Sequence, residues 1–169
     1  VLYEWDWDYS GSFVASGDTG VSQSHVYPED GNYVVAVRVT DDDGSTNVAT
    51  LAVTVANAAP QVSAGSDQSG LPGTQISLEP ATFTDAGVQD THTAVVDWGD
   101  GDSDSGGLSQ GAGSGSVAGS HSYADSGTYT VTVSVTDDEG ETGQDTFEVF
   151  ISASPNLVPQ VDAGADAEI

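Results

Sequence analysis

The sequence predicts an all-β chain of tandem β-sandwiches, and three observations carry that prediction. Val, Thr, Ser, Asp and 21 Gly dominate the 169 residues, while among the long-chain helix formers Lys and Met are absent and Arg occurs once. Apolar and polar residues alternate with a period of two in several segments. Most tellingly, HVYPEDGNYVVAVRVTDDDG at 25 to 44 returns as HSYADSGTYTVTVSVTDDEG at 121 to 140, at a constant offset of 96.

The repeat sets the frame. His25, Tyr27, Gly31, Tyr33, Val39, Asp41 and Gly44 fall on His121, Tyr123, Gly127, Tyr129, Val135, Asp137 and Gly140. Trp7 falls on Trp98 at an offset of 91, so the intervening loop is five residues longer in the second copy (96 − 91). NAAPQVSAGSDQ at 57 to 68 returns as NLVPQVDAGADA at 156 to 167, at an offset of 99. A period of this size suits one small sandwich. The expected organisation is the C-terminal part of one repeat over 1–56, a complete repeat over 57–154, and a linker with the first strand of a following repeat over 155–169.

Strands follow from alternation. Tyr3 to Trp7 and Ala94 to Trp98 correspond in the two copies. Tyr33, Val35, Val37 and Val39 form one inward set, with Arg38 outward, and Tyr129, Val131, Val133 and Val135 form its counterpart, with Thr130, Thr132, Ser134 and Thr136 outward. Acidic turns, DDDG and DDEG, lead into strands at Ala49 to Val55 and Thr146 to Ile151. Shorter strands are expected at Val62 to Ala64 and Ile76 to Leu78, for seven strands in a complete repeat. Ser103 to Gly119, nearly all Ser, Gly, Ala and Asp, reads as a mobile loop with at most one short strand.

Charge narrows the function. One Arg and no Lys stand against 27 acidic side chains, a formal net charge of −26. Neutralising phosphates needs clustered Lys and Arg, so nucleic acid and anionic lipid are excluded as partners. With no Cys, disulfides within the chain are excluded. No apolar run is long enough to cross a bilayer, and Val1 to Asp8 lacks the pattern of a signal peptide. The chain reads as an internal piece of a longer protein.

VDWGDG at 96 to 101, HSY at 121 to 123, GTYTVTVSVTDDEG at 127 to 140 and the linker NAAPQVSAGSDQ resemble the PKD (polycystic kidney disease) repeat. The first copy keeps YEWDW, HVY and VTDDDG, but has Asp8, Tyr9 and Ser10 in place of Gly99, Asp100 and Gly101. The resemblance implies an immunoglobulin-like, extracellular or cell-surface module that serves as spacer, adhesive or carbohydrate-associated domain. It also implies Ca²⁺ at one pole, where the start of the repeat, the loop after its second strand and the loop after its sixth come together. In the complete repeat those segments supply Asn57, Asp85, Asp90, Asp137 and Asp138, an all-oxygen set suited to a hard cation. The competing reading makes Asp137 and Asp138 ordinary turn formers and Asp85 a solvated acid. The corresponding Asp41 and Asn156 would belong to sites completed by residues outside this chain.

Other candidates are read structurally. Asp97, Asp100 and Asp102 suit a turn, His25 and His121 suit packing or hydrogen-bonding posts, and His92 reads as a loop residue. Trp7 and Trp98 are expected between the sheets, with Trp5 beside them. No nucleophile motif and no cleft for paired carboxylates are evident, so no enzymatic activity is expected. The functional expectation is a structural array with Ca²⁺-stiffened junctions forming a surface rod, adhesin or filament. The alternatives are a module binding glycan or matrix, or an accessory domain of a secreted hydrolase. Residues 159–169 are expected to pair as a strand with a further segment, supplied either by the continuing polypeptide or by a neighbouring copy.

Overall fold

Alternation translates directly into strands in the computed structural model, which describes residues 1–79 and 81–153. Among the described residues no helix forms. In the first repeat β1 (Leu2–Asp6), β2 (Gly31–Thr40) and β3 (Thr46–Val55) make one antiparallel sheet, ordered β1-β2-β3. Trp5 lies opposite Val37, and Val37 opposite Ala49, so these three residues share one face of the sheet. In the loop that follows β1, residues 16–20 run along the outer edge of β1, while Phe13 and Val14 lie over the other face. There Val14 N donates to Asp6 Oδ2 at 2.8 Å, and Arg38 lies over the Phe13 ring while pairing with Glu4 at 2.8 Å.

The second repeat is a two-sheet sandwich. Its strands are β4 (Gln61–Ser63), β5 (Gln68–Gly70), β6 (Gln75–Ser77), β7 (Ala81–Thr84), β8 (Thr93–Asp97), β9 (Ser103–Ser105), β10 (Gly107–Gly111), β11 (Ser114–Ala118), β12 (Ser120–Ser122), β13 (Gly127–Thr136) and β14 (Thr142–Ile151). One sheet runs β5-β14-β13-β8-β9, the other β10-β11-β7-β4, and β12 pairs with β6. Between them lie Phe83, Val96, Trp98, Val117, Tyr123, Phe147 and the predicted inward residues Val131, Val133 and Val135, all buried. Tyr123 donates its hydroxyl to the Trp98 carbonyl at 2.9 Å, and Tyr27 does the same to Trp7 in the first repeat. Burial, with Asp100 and Tyr129 nearby, pushes the Tyr123 phenol up to about 12.

Two expectations are corrected. Ser103 to Gly119 is not a loop: it contains β9, β10 and β11, which raises the repeat well above seven strands. Its glycines answer to packing, because a Cβ on Gly115 would stand 2.5 Å from the Phe83 ring and one on Gly106 2.5 Å from Val117. Trp98 is fully buried, but Trp5 and Trp7 are only partly so, since among the described residues no second sheet covers their face. The strand expected at 159–169 lies outside the described residues.

Candidate metal centre

The turn after β13 starts from Asp137. Its Oδ1 accepts from Glu141 N at 2.8 Å, its carbonyl accepts from Gly140 N, and Gly140 takes φ +96°, a conformation that favours Gly. This is the turn-forming chemistry read from DDEG. Asp137 nevertheless does more. It is buried, and its Oδ2 accepts from Asn57 Nδ2 at 2.8 Å, which ties the inter-repeat linker to the turn. Burial works against its charge, but the bonds from Asn57 and from the Glu141, Gly140 and Glu139 amides hold the carboxyl below the ordinary range.

The loop between β7 and β8 supplies the other acids. Asp85 Oδ1 accepts from Gly87 N at 3.1 Å, and its Oδ2 lies 2.9 Å from His92 Nε2, with both side chains essentially inaccessible. His92 is therefore no free loop residue. It packs on Phe83 and meets Gln110 through Nδ1, fixing Asp85 from behind. The Asp90 carboxyl presses on Gly87, where a Cβ would stand 2.0 Å from Oδ2. That oxygen is buried and has no hydrogen-bond partner. Burial, followed by Glu139, Asp85, Glu29 and Asp138, pushes Asp90 up to about 6.

Oxygen atoms of Asp85, Asp90 and Asp137 all lie within 4.8 Å of one another. Oxygens at that spacing fit around one ion at the 2.3–2.6 Å typical of Ca²⁺. A second group, Asp30, Asp90 and Glu139, meets the same limit and draws Asp30 from the first repeat. The repeats touch here: Gln89 N donates to Glu29 Oε1 at 2.8 Å and Val88 N to the Pro28 carbonyl at 3.3 Å. Of the five residues singled out from sequence, three therefore converge. Asn57 points its nitrogen at Asp137 and its oxygen at Ala58 N, so it orients the centre as a donor. Asp138 is exposed and accepts from Thr91 N at 2.7 Å, bracing the loop.

Asp30, Glu139 and His92 were missed. His92 carried a signal, because it continues the inward parity of Ala94, Val96 and Trp98. Asp30 carried none, since only the contact between repeats brings it near. A third acidic group, Asp100, Asp102 and His121, behaves as read: Asp100 Oδ1 accepts from Asp102 N in a turn, and His121 bonds Asp100 and stacks on Trp98.

The PKD domain profile matches residues 2–55 and again 57–151, which together span most of the chain. The chain belongs to the PKD domain family. Solved PKD domains are among its structural neighbours. The PKD1 domain of Vibrio anguillarum Epp is 25% identical, covering 59% of this chain and 100% of that one, with a TM-score of 0.43. The PKD domain of an M14-like peptidase from Thermoplasmatales archaeon SCGC AB-540-F20 is 28% identical, covering 57% and 98%, with a TM-score of 0.44. Fibronectin(III)-like modules of Clostridium thermocellum CbhA are 16% identical, covering 95% and 83%, with a TM-score of 0.43. No curated protein matches the chain.

Proposed function

We propose that this tandem PKD segment is a non-enzymatic structural element of an extracellular rod, adhesin or filament, stiffened by Ca²⁺ at the junction between repeats. The observation that carries the reading is Asp90, whose buried, unpartnered oxygen sits among other carboxylates at that junction. Burying such a charge without a counter-charge is costly. The chain has a single Lys or Arg, Arg38, and it is engaged by Glu4. No Lys or Arg is left to neutralise these carboxylates at neutral pH, which supports a cation from solution as their partner, and an all-carboxylate donor set favours a hard divalent one.

Asp85, Asp90 and Asp137 would hold the ion, with Asp30 and Glu139 extending the charge across the repeats. A carboxylate oxygen has two lone pairs, so the existing bonds to His92, Gly87 and Asn57 position ligands without using them up. When bound, the ion neutralises the acids and penalises bending that would separate Asp30 from Asp90. The crevice between the repeats, about 50 Å³, has room for a small ion or water rather than a sugar ring.

Thermal melting in Ca²⁺ and in chelator tests this. The transition of the second repeat should rise in Ca²⁺, and Asp90→Asn should abolish most of the rise. An unchanged midpoint removes the ion from the account.

A further inference from the structure

Asp85, Asp90 and Asp137, the acids that would hold the junction ion, all belong to the second repeat. An ion held by them alone orders that repeat and reaches the first only through longer-range charge. Resistance to bending needs a ligand on each side of the junction. Asp30, Asp90 and Glu139 meet that requirement: Asp30 lies just before β2 in the first repeat, Asp90 in the β7–β8 loop and Glu139 in the β13–β14 turn.

The five acids do not form one group at the spacing of a single ion's ligands. Oxygens of Asp30, Asp90 and Glu139 lie within 4.8 Å of one another, as do those of Asp85, Asp90 and Asp137, and Asp90 alone belongs to both groups. A carboxylate has two oxygens with two lone pairs each, enough for both. Asp90 Oδ2 is buried, lacks a hydrogen-bond partner and presses on Gly87, where a Cβ would stand 2.0 Å away. After burial itself, Glu139 does most to push Asp90 up, ahead of Asp85. Asp30 is fixed by its backbone, because Tyr33 donates its hydroxyl to the Glu29 and Asp30 carbonyls at 3.1 and 3.3 Å. Glu29 in turn accepts from the Gln89 amide across the junction at 2.8 Å, so the loop carrying Asp30 is docked without an ion.

We infer that the junction takes two divalent cations, the second held across the repeats by Asp30, Asp90 and Glu139. This rests on the reading of Asp85, Asp90 and Asp137 as the first ion's site and deepens it, since the second ion is then the mechanical link. The two sites differ in burial. Asp137 is buried and Asp85 is sealed by His92, whereas Asp30 is half-buried and Glu139 exposed. Two cations that share Asp90 repel each other, and the more exposed site is the more screened, so the second ion binds more weakly. Stiffness therefore follows cation concentration in the range of the weaker site, while the stability of the second repeat follows the tighter one.

The repeat itself supplies the substitutions that the fold accepts. At the offset of 96, Ser126 stands where Asp30 stands. Asp30→Ser therefore removes the ligand with a residue that the same turn already carries in the second copy. Glu139→Gln removes the charge at nearly constant size. Asp42, exposed and outside both groups, is the control for diffuse attraction of cations to so acidic a chain.

Calorimetric titration of the full chain with calcium chloride, at about 0.15 M salt to screen diffuse attraction, should show two ions per chain in two steps of unequal affinity. Asp30→Ser and Glu139→Gln should each lose the weaker step and keep the tighter, which also reports that the second repeat is folded. Asp42→Asn should keep both. A single ion in the wild type overturns the inference and leaves the one-ion reading standing, whereas no binding at all overturns both. Two steps that persist in Asp30→Ser and Glu139→Gln overturn it as well. So does an equal loss in Asp42→Asn, which would mean diffuse binding to surface acids.

Discussion

Asn57 Nδ2 donates to Asp137 Oδ2 at 2.8 Å, joining the linker between the repeats to a turn 80 residues further along. The amide gives the buried carboxylate a partner and fixes where the second repeat begins. Asn57→Ala should destabilise that repeat by about 1–2 kcal/mol, the usual value for a hydrogen bond to a charged group at a partly buried site. Asn57→Asp should be worse in chelator, where it sets two carboxylates face to face, and better than Asn57→Ala in Ca²⁺. Urea unfolding under the two conditions checks the reversal.

The pH dependence of the Ca²⁺-free protein follows from Asp90. Its folded pKa, about 6, lies above the ordinary 3.8, so it favours folding while protonated. That contribution is complete below about 3.8 and is lost as pH rises through about 6. Asp100, Asp137 and Asp145 are shifted down. Their stabilisation is complete above the ordinary value and is lost only as pH falls through their depressed values. The melting midpoint in chelator should therefore fall between roughly pH 4 and 6, and Asp90→Asn should flatten that fall. Saturating Ca²⁺ should reverse its sign, because the ion binds the ionised carboxylate.

His92 holds Asp85 in a site from which both side chains exclude water. His92→Ala should cost about 3 kcal/mol, combining a cavity beside Phe83 with a buried acid deprived of its partner. Chemical denaturation should show this loss together with weaker Ca²⁺ binding by calorimetry.

Phe147 and Leu51 occupy the same place in the two repeats and should respond unequally, because one is buried and the other exposed. Phe147→Ala should cost about 3–5 kcal/mol, whereas Leu51→Ala in dilute protein should stay within about 0.5 kcal/mol. Unfolding curves of the two variants, followed by Trp fluorescence, make the comparison.

Much of this architecture was legible in the sequence because alternation reports burial locally. Val131, Val133 and Val135 face the core as their parity requires. Ser103 to Gly119 was misread because Gly and Ser resemble a linker by composition. At Gly106 and Gly115 the glycine instead makes room for Val117 and Phe83, contacts that no local pattern reveals. Parity also predicted that Trp5 and Trp7 face inward, but inward is buried only where a second sheet exists. At the centre, Asp85, Asp90 and Asp137 could be brought together by topology alone. Asp30 could not, because it belongs to the other repeat, and neither could the donor orientation of Asn57.

The central claim is that a cation joins the repeats mechanically, and inter-repeat distance tests it most directly. The chain has no Cys, so Asp42→Cys with Ser126→Cys places one spin label in each repeat and nowhere else. Pulsed electron resonance should give a narrow distance distribution in Ca²⁺ that broadens in chelator, and a broad one under both conditions with Asp90→Asn. Equal widths with and without Ca²⁺ in the Asp90 protein would contradict the account.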